Sequence, residues 1–300
     1  MERKKKIRNR FKKSLAAVIL TCLLAGIGTQ QSADVLAAAK PTGNTNTYQT
    51  RTFTVRRGKK KIFGKIFIPV SGSEKKKFPT VIYSHGFGGN YEVGEPYARE
   101  LAKNGYVVYC FDFCGGSPDS RSSGSTLKMS VFTEQKDLEA VIQKIKKQPY
   151  VDRKNIFLFG TSMGGMVSAI TAAEHKKEIR GLILFYPAFV LVDDAKKLYA
   201  HEDEIPKKRF YLWMDVGKAY FKDLLDYDAY AQIKKYKRKV LIVHGDEDDI
   251  VPLSYSRKAV KTYSSAALKV IKGAGHGFDG KDEDRAIRYM LSYLNRQKKQ

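Results

Sequence analysis

The chain has 300 residues, 43% of them hydrophobic, enough for one large α/β domain or two small ones with a sizeable core. Its formal net charge of +24 is spread over scattered runs (56–61, 75–77, 207–209 and 234–239) and is not gathered in one tail. A nucleic-acid module is excluded, because no zinc-finger, helix-turn-helix or RNA-binding signature accompanies the charge. The runs read as a solvated basic surface, with weak attachment to a polyanionic cell-wall polymer as their alternative role.

Residues 1–13 are strongly basic, and 15–28 form an uncharged apolar run. That run is short of the roughly 20 residues a bilayer span needs. Small residues at 35–39 then offer a cleavage site, so a signal peptide is expected over 1–39 and the protein is expected to be secreted. An uncleaved N-terminal membrane anchor is the alternative. Cys22 follows Thr21, a poor match to lipoprotein cleavage. Residues 40–51 are polar and rich in Thr and Asn, which predicts a flexible lead-in to a domain spanning 52–300.

Alternation of apolar and polar positions at 52–55 and 61–68, around Arg56-Arg57-Gly58-Lys59, predicts a hairpin. A third strand at 78–84 runs directly into His85-Gly86-Phe87-Gly88-Gly89. A helix is predicted over 92–104, with Gly105 as its C-terminal cap. The apolar strand 106–111 follows. Cys110 and Cys114 sit at its end, where extended chain holds their Cα atoms beyond disulfide reach, so two buried or half-buried thiols are expected. A Gly/Ser loop covers 115–125. Leu138, Val141, Ile142 and Ile145 mark a helix over 133–148, stopped by Pro149.

A fifth strand at 156–159 ends abruptly in Gly160-Thr161-Ser162-Met163-Gly164, and a helix over 163–174 follows. This is the G-x-S-x-G pattern of a sharp strand-to-helix turn that holds a serine hydroxyl outward. A sixth strand at 181–186 leads into 187–236, which lacks regular alternation and is rich in aromatic residues. Strands at 239–243 and 268–271, a helix at 254–263 and a final helix marked by Ile287, Met290, Leu291 and Leu294 complete the chain. No internal repeat is present. Strand–helix alternation with near-continuous apolar strands predicts an α/β fold: a mostly parallel eight-stranded sheet with helices on both faces.

In open parallel sheets, sites lie at the carboxyl ends of strands. Four such ends carry residues of catalytic type: His85, Ser162, the 246–249 carboxylates and His276. The order Ser, Asp, His along the chain matches the α/β-hydrolase arrangement. His276 is the candidate base, because it lies in the glycine loop Gly273-Ala274-Gly275-His276-Gly277-Phe278, which lets an imidazole reach the serine. His85 and His244 each precede a glycine at a strand end and read as packed, backbone-bonded residues. Asp248 is the chosen acid, with Asp246, Glu247 and Asp249 as turn or cap residues that local spacing separates poorly from it. The N–H groups of Phe87 and Met163 are placed to bind a developing oxyanion. Gly86, Gly88 and Gly89 allow that backbone to approach a ligand.

Together, His85-Gly86-Phe87-Gly88-Gly89, Gly160-Thr161-Ser162-Met163-Gly164-Gly165, the His244–Pro252 stretch H-G-D-E-D-D-I-V-P and Gly273-Ala274-Gly275-His276-Gly277-Phe278 resemble the α/β-hydrolase superfamily over roughly residues 52–297. The closest resemblance is to bacterial cinnamoyl/feruloyl esterase-like and serine aminopeptidase-like hydrolases. It implies Asp248 as the acid, Phe87 and Met163 as oxyanion donors, and 187–236 as a lid inserted after the sixth strand to shape the acyl pocket. Two departures stand out. Thr161 replaces the histidine common at the elbow, and the loop from Cys114 to Gly124 lacks the G-H-G-x-S pattern.

The expected function is a secreted serine hydrolase acting on a carboxylic ester, small or polysaccharide-linked, with aromatic (cinnamoyl- or feruloyl-type) or short-chain esters as candidates. Gly86, Tyr199 and Trp213 are the candidate substrate contacts. No metal or organic cofactor is implied, since no ligand cluster with metal spacing appears. A peptidase of the same fold, whose lid carboxylates Asp193, Asp194 and Glu202 would bind an amine, is one rival. A lipase or acyltransferase is another, and a non-catalytic basic wall-binding protein is the third.

Overall fold

The structure, a computed structural model, describes residues 47–73 and 75–298. The expected signal peptide and Cys22 lie outside the described residues. Among those described, the chain runs β1 (Tyr48–Thr52), β2 (Val55–Arg57), β3 (Lys60–Ile62), β4 (Gly64–Pro69), β5 (Phe78–Ser84), α1 (Glu95–Lys103), β6 (Val107–Phe111), α2 (Val131–Ile145), β7 (Val151–Thr161) and α3 (Ser162–Glu174). It continues through β8 (Gly181–Phe185), α4 (Leu191–Leu198), β9 (Lys208–Tyr211), β10 (Met214–Gly217), α5 (Ala219–Lys222), α6 (Ala229–Ile233), β11 (Val240–Gly245), α7 (Leu253–Thr262), β12 (Ala266–Ile271) and α8 (Gly280–Gln297).

Eight strands form one sheet in the order β1-β4-β6-β5-β7-β8-β11-β12. The β1/β4 and β4/β6 pairs are antiparallel, and every other neighbouring pair is parallel. This is the expected α/β-hydrolase sheet. Side chains of successive strand residues feed opposite layers, as the two-residue period requires. On β5, Ile82 joins the layer holding Leu138, Val141, Val167 and Ile170 from α2 and α3. Its neighbours Val81 and Tyr83 join the layer holding Leu101, Met290 and Leu294 from α1 and α8. Burial on both faces explains why these strands read as unbroken apolar runs.

The start of the domain departs from expectation. The turn around Gly58, at φ +56°, closes a small separate hairpin of β2 and β3, in which Val55 faces Ile62. Residues 64–69 pair instead with 48–52, Thr52 opposite Lys65. Part of the expected 40–51 lead-in is therefore an edge strand. Tyr48-Gln-Thr-Arg-Thr is exposed along nearly its whole length. An edge strand with neither face covered shows no hydrophobic alternation, so its sequence reads as loop.

The expected 92–104 helix is split. Residues Tyr91–Gly94 form a 3₁₀ turn capped by Asn90, and the α-helix begins only at Glu95, with Pro96 in its first turn. The helix expected at 133–148 starts earlier, at Val131, because Ser130 and Thr133 form a capping box. Cys110 and Cys114 are both buried free thiols. The insertion at 187–236 follows β8, the sixth strand of the sheet along the chain. It carries α4, the β9–β10 hairpin, α5 and α6.

Candidate active site

The catalytic-type residues converge where the sheet order reverses. Strand β5 lies between β6 and β7, so the loops leaving the carboxyl ends of β5 and β7 part on either side of a crevice. Ser162 stands in that crevice at φ +51°, a left-handed conformation costly for a residue with a Cβ. Its flanking glycines are steric necessities. A Cβ on Gly160 would lie 2.2 Å from the Gly164 carbonyl oxygen, and one on Gly164 would lie 2.2 Å from that of His85. Thr161, the departure from the family pattern, is buried and shares a 2.9 Å hydrogen bond with the Tyr83 hydroxyl. It packs into the layer behind the turn and leaves the serine face unchanged.

His276, on the loop after β12, brings Nε2 to 3.0 Å from Ser162 Oγ. Its Nδ1 lies 2.8 Å from Asp248 Oδ2, on the loop after β11. The other Asp248 oxygen accepts the N–H groups of Ile250 (3.0 Å) and Val251 (2.8 Å). Burial alone would raise the Asp248 pKa. Hydrogen bonds from His244 and His276, the His276 charge and the Val251 N–H outweigh it, and hold the carboxyl well below the usual range. The group is thus a carboxylate whenever the imidazole needs it. Asp246 accepts the Gly273 N–H at 2.6 Å and so ties the two loops together, while Glu247 and Asp249 are exposed. Of the four carboxylates, Asp248 is the one against the imidazole.

His244 is packed and backbone-bonded, as expected, but its contact with the acid, like the place of Tyr186, was not legible in the sequence. His244 is fully buried at the end of β11, with Nδ1 2.7 Å from Ser256 Oγ and Nε2 2.9 Å from the Val251 carbonyl and 3.1 Å from Asp248 Oδ2. It holds the acid in place as well as packing. Tyr186, at φ +37°, sets its ring edge-on to His276 at 4.7 Å between centroids. The only sequence hint for either was its place at a strand end.

The expected oxyanion donors lie on the loop after β5 and at the start of α3. Met163 N–H lies in the first turn of α3, where no intrahelical carbonyl is available to it. Among the described residues, Phe87 N–H donates to no backbone carbonyl. Gly86 abuts the nucleophile, since a Cβ there would lie 3.1 Å from Ser162 Cβ. His85 fixes this loop from beneath: Nδ1 donates to the Gly86 carbonyl (2.8 Å) and Nε2 accepts the Phe113 N–H (3.1 Å). Burial pushes its pKa down to about 4 against the pull of the Gly86 carbonyl, so the ring is neutral.

The lid meets this loop through rings. Tyr211, Trp213 and Tyr220 all pack edge-on against Phe87, at 5.8, 5.3 and 5.3 Å between centroids. The Trp213 indole lies over Gly88, where a Cβ would come 2.3 Å from Nε1. The Tyr220 hydroxyl reaches Met163 Sδ at 3.7 Å. Tyr199, offered as a substrate contact, is not part of this wall. It is buried, packs on Phe221 and accepts a hydrogen bond from Arg209. Its ring serves the lid's own core, a distinction that aromatic content alone does not carry.

Comparisons with known proteins agree with this fold. A family model described as "Serine aminopeptidase, S33" matches residues 75–224, half of the chain. Caffeoylshikimate esterase of Arabidopsis thaliana is 30% identical over 145 residues, 47% of this chain and 42% of that protein. The chain therefore spans under half the length of that relative. Human monoacylglycerol lipase ABHD6 is 21% identical over 260 residues, covering 72% of this chain and 75% of the lipase. Among solved structures, Est1E from Butyrivibrio proteoclasticus with bound ferulic acid superposes with a TM-score of 0.73 at 24% identity, over 82% of this chain and 98% of that one. A monoacylglycerol lipase from Paleococcus ferrophilus gives 0.60 at 21% identity, over 74% and 97% of the two chains. At these identities the structural likenesses speak for the fold.

Proposed function

The chain belongs to the serine aminopeptidase S33 family of the α/β-hydrolase superfamily, and on that premise we propose that it hydrolyses carboxylic esters through Ser162, His276 and Asp248. It is a serine hydrolase related to esterases and lipases. The observation that carries the reading is the unbroken hydrogen-bonded line from Ser162 Oγ through both nitrogens of His276 to Asp248.

Ser162 Oγ attacks the acyl carbon as His276 Nε2 takes its proton. Asp248 holds the ring by Nδ1–H and stabilises the imidazolium. The N–H groups of Phe87 and Met163 receive the oxyanion. His276 then protonates the leaving alkoxide, and water, activated by the same ring, releases the acid from Ser162.

The state of the lid carboxylates favours ester over peptide. A peptide's terminal ammonium would need an uncommitted carboxylate. Asp193 accepts the Tyr255 hydroxyl at 2.6 Å, Asp194 faces Tyr211 and Lys197, and Glu202 is bridged by Lys218 and Lys222. The Phe87, Tyr211 and Trp213 rings favour an aromatic or medium apolar acyl group beside the oxyanion loop. An extracellular location rests on the 1–39 pattern, and N-terminal sequencing of protein recovered from culture medium tests it.

The deciding experiment is covalent labelling with a fluorophosphonate, together with turnover of p-nitrophenyl esters and aminoacyl-p-nitroanilides. Wild type should label and cleave the esters. Ser162→Ala should not label and should lose about 10⁴-fold or more in turnover while keeping its thermal stability. Cleavage of the anilides alone would reverse the assignment.

A further inference from the structure

One of the basic runs, 234–239, acquires a location in the fold. A cleft of about 470 Å³ is lined by Lys176, Ala231, Lys234, Lys235 and Lys237. Lys176 stands just beyond the carboxyl end of α3, the helix whose first residue is Ser162. At helical rise, that places the cleft about 20 Å from the nucleophile. The other three lysines come from the chain leaving α6. The sequence separates these segments, and the fold sets them face to face.

Three clamps hold the walls together. Arg238 donates to the carbonyl oxygens of Lys176 (3.0 Å) and Lys177 (3.3 Å). The Tyr236 hydroxyl donates to the Ile179 carbonyl at 3.2 Å, and Gln232 donates to Glu174. Arg238 therefore ties the turn after α3 to the chain leaving α6 and brings a further positive charge to that edge. The acids on this face are already engaged. Glu178 is held by Lys146 and His175, and Glu174 by Gln232. Lys235 reaches the Gln232 amide oxygen at 2.6 Å. No acidic side chain is among those that line the cleft, so four lysines bring like charges to its walls.

We propose that this cleft binds a linear multivalent phosphate of the polyphosphate type. The ligand must bring several negative charges into a small volume. A polyphosphate carries a charge on every linked unit, whereas the carboxylates of an acidic polysaccharide are separated by sugar rings. Single-stranded nucleic acid is favoured by exposed aromatic rings on which bases stack. The cleft lining has none: Tyr236 is buried with its hydroxyl engaged, and Tyr230 packs on Phe189 and donates to the Tyr255 carbonyl. Lysine ammoniums, compact and strongly hydrated, act here as point charges toward phosphate.

The test is calorimetric titration of the full chain with sodium tripolyphosphate at low and at physiological salt. Saturable one-site binding is expected, weakening as salt rises. Lys176→Gln/Lys234→Gln/Lys237→Gln should lower the affinity by about tenfold or more. Lys75→Gln/Lys76→Gln/Lys77→Gln, which removes the same charge elsewhere, should change it by less than about twofold. Thermal unfolding without ligand checks that both variants fold, and Lys237→Glu alone should already weaken binding. Absence of saturable binding, or equal losses in the two triple variants, overturns the site. Tighter binding of a single-stranded oligonucleotide or a polyuronate of matched charge overturns the ligand class.

Discussion

His85 offers a test of how the oxyanion loop is held. Its ring is fully buried and neutral, with one nitrogen donating to Gly86 and the other accepting from Phe113. Protonation would place a second N–H against the Phe113 N–H and leave a charge without solvent. The folded pKa of about 4 lies below the ordinary value of about 6.5, so between the two the unfolded chain holds more protons. This contribution to stability is whole above about pH 6.5 and is lost as pH falls toward about 4. At about 1.4 kcal/mol per pH unit, the gap is worth about 3 kcal/mol. His85→Gln keeps a donor and an acceptor but cannot titrate. Urea unfolding of both proteins from about pH 7 to about pH 4 should show wild type losing about 3 kcal/mol more than the variant. Parallel pH profiles would refute the claim that a neutral, doubly bonded imidazole supports this loop.

Two further outcomes follow from the site. Asp248→Asn should lower kcat on p-nitrophenyl esters by about 10⁴-fold with little change in KM, because an amide facing His276 Nδ1 favours the wrong tautomer. A loss of less than about tenfold would remove Asp248 from the proton relay. Gly164→Ala drives a Cβ into the backbone carbonyls of Ser84 and His85, so chemical denaturation should show a loss of at least about 2 kcal/mol along with activity. Gly72→Ala, with nothing within 4 Å and no positive φ, should stay within about 0.5 kcal/mol of wild type and serves as the control.

The pattern of the chain determined a good deal. Strands covered on both faces must be apolar throughout, so β5, β6 and β8 announced themselves, and their alternation with helices implied a parallel sheet. The elbow was legible because sterics admit almost nothing but glycine at 160 and 164. Ser162 and His276 stood out for the same local reason, each set in a loop whose glycines have little other purpose. Where a residue's role depends on what lies across space, the sequence was silent or ambiguous. Local spacing in H-G-D-E-D-D separates Asp248 poorly from its neighbours; the family resemblance points to it, and the β12 loop then brings His276 beside it, with His244 on its other flank. Nothing in the lid's aromatic content separates Trp213, which lies on the oxyanion loop, from Tyr199, which packs on Phe221. Edge strand β1 carries no hydrophobic signal because it buries almost nothing, and only its pairing with β4 makes it a strand. The basic run at 234–239 reads as a solvated surface until Arg238 clamps its segment to the turn after α3. Local sterics and burial are written into the order of residues, whereas the partners of a charge or a ring are fixed only when distant segments meet.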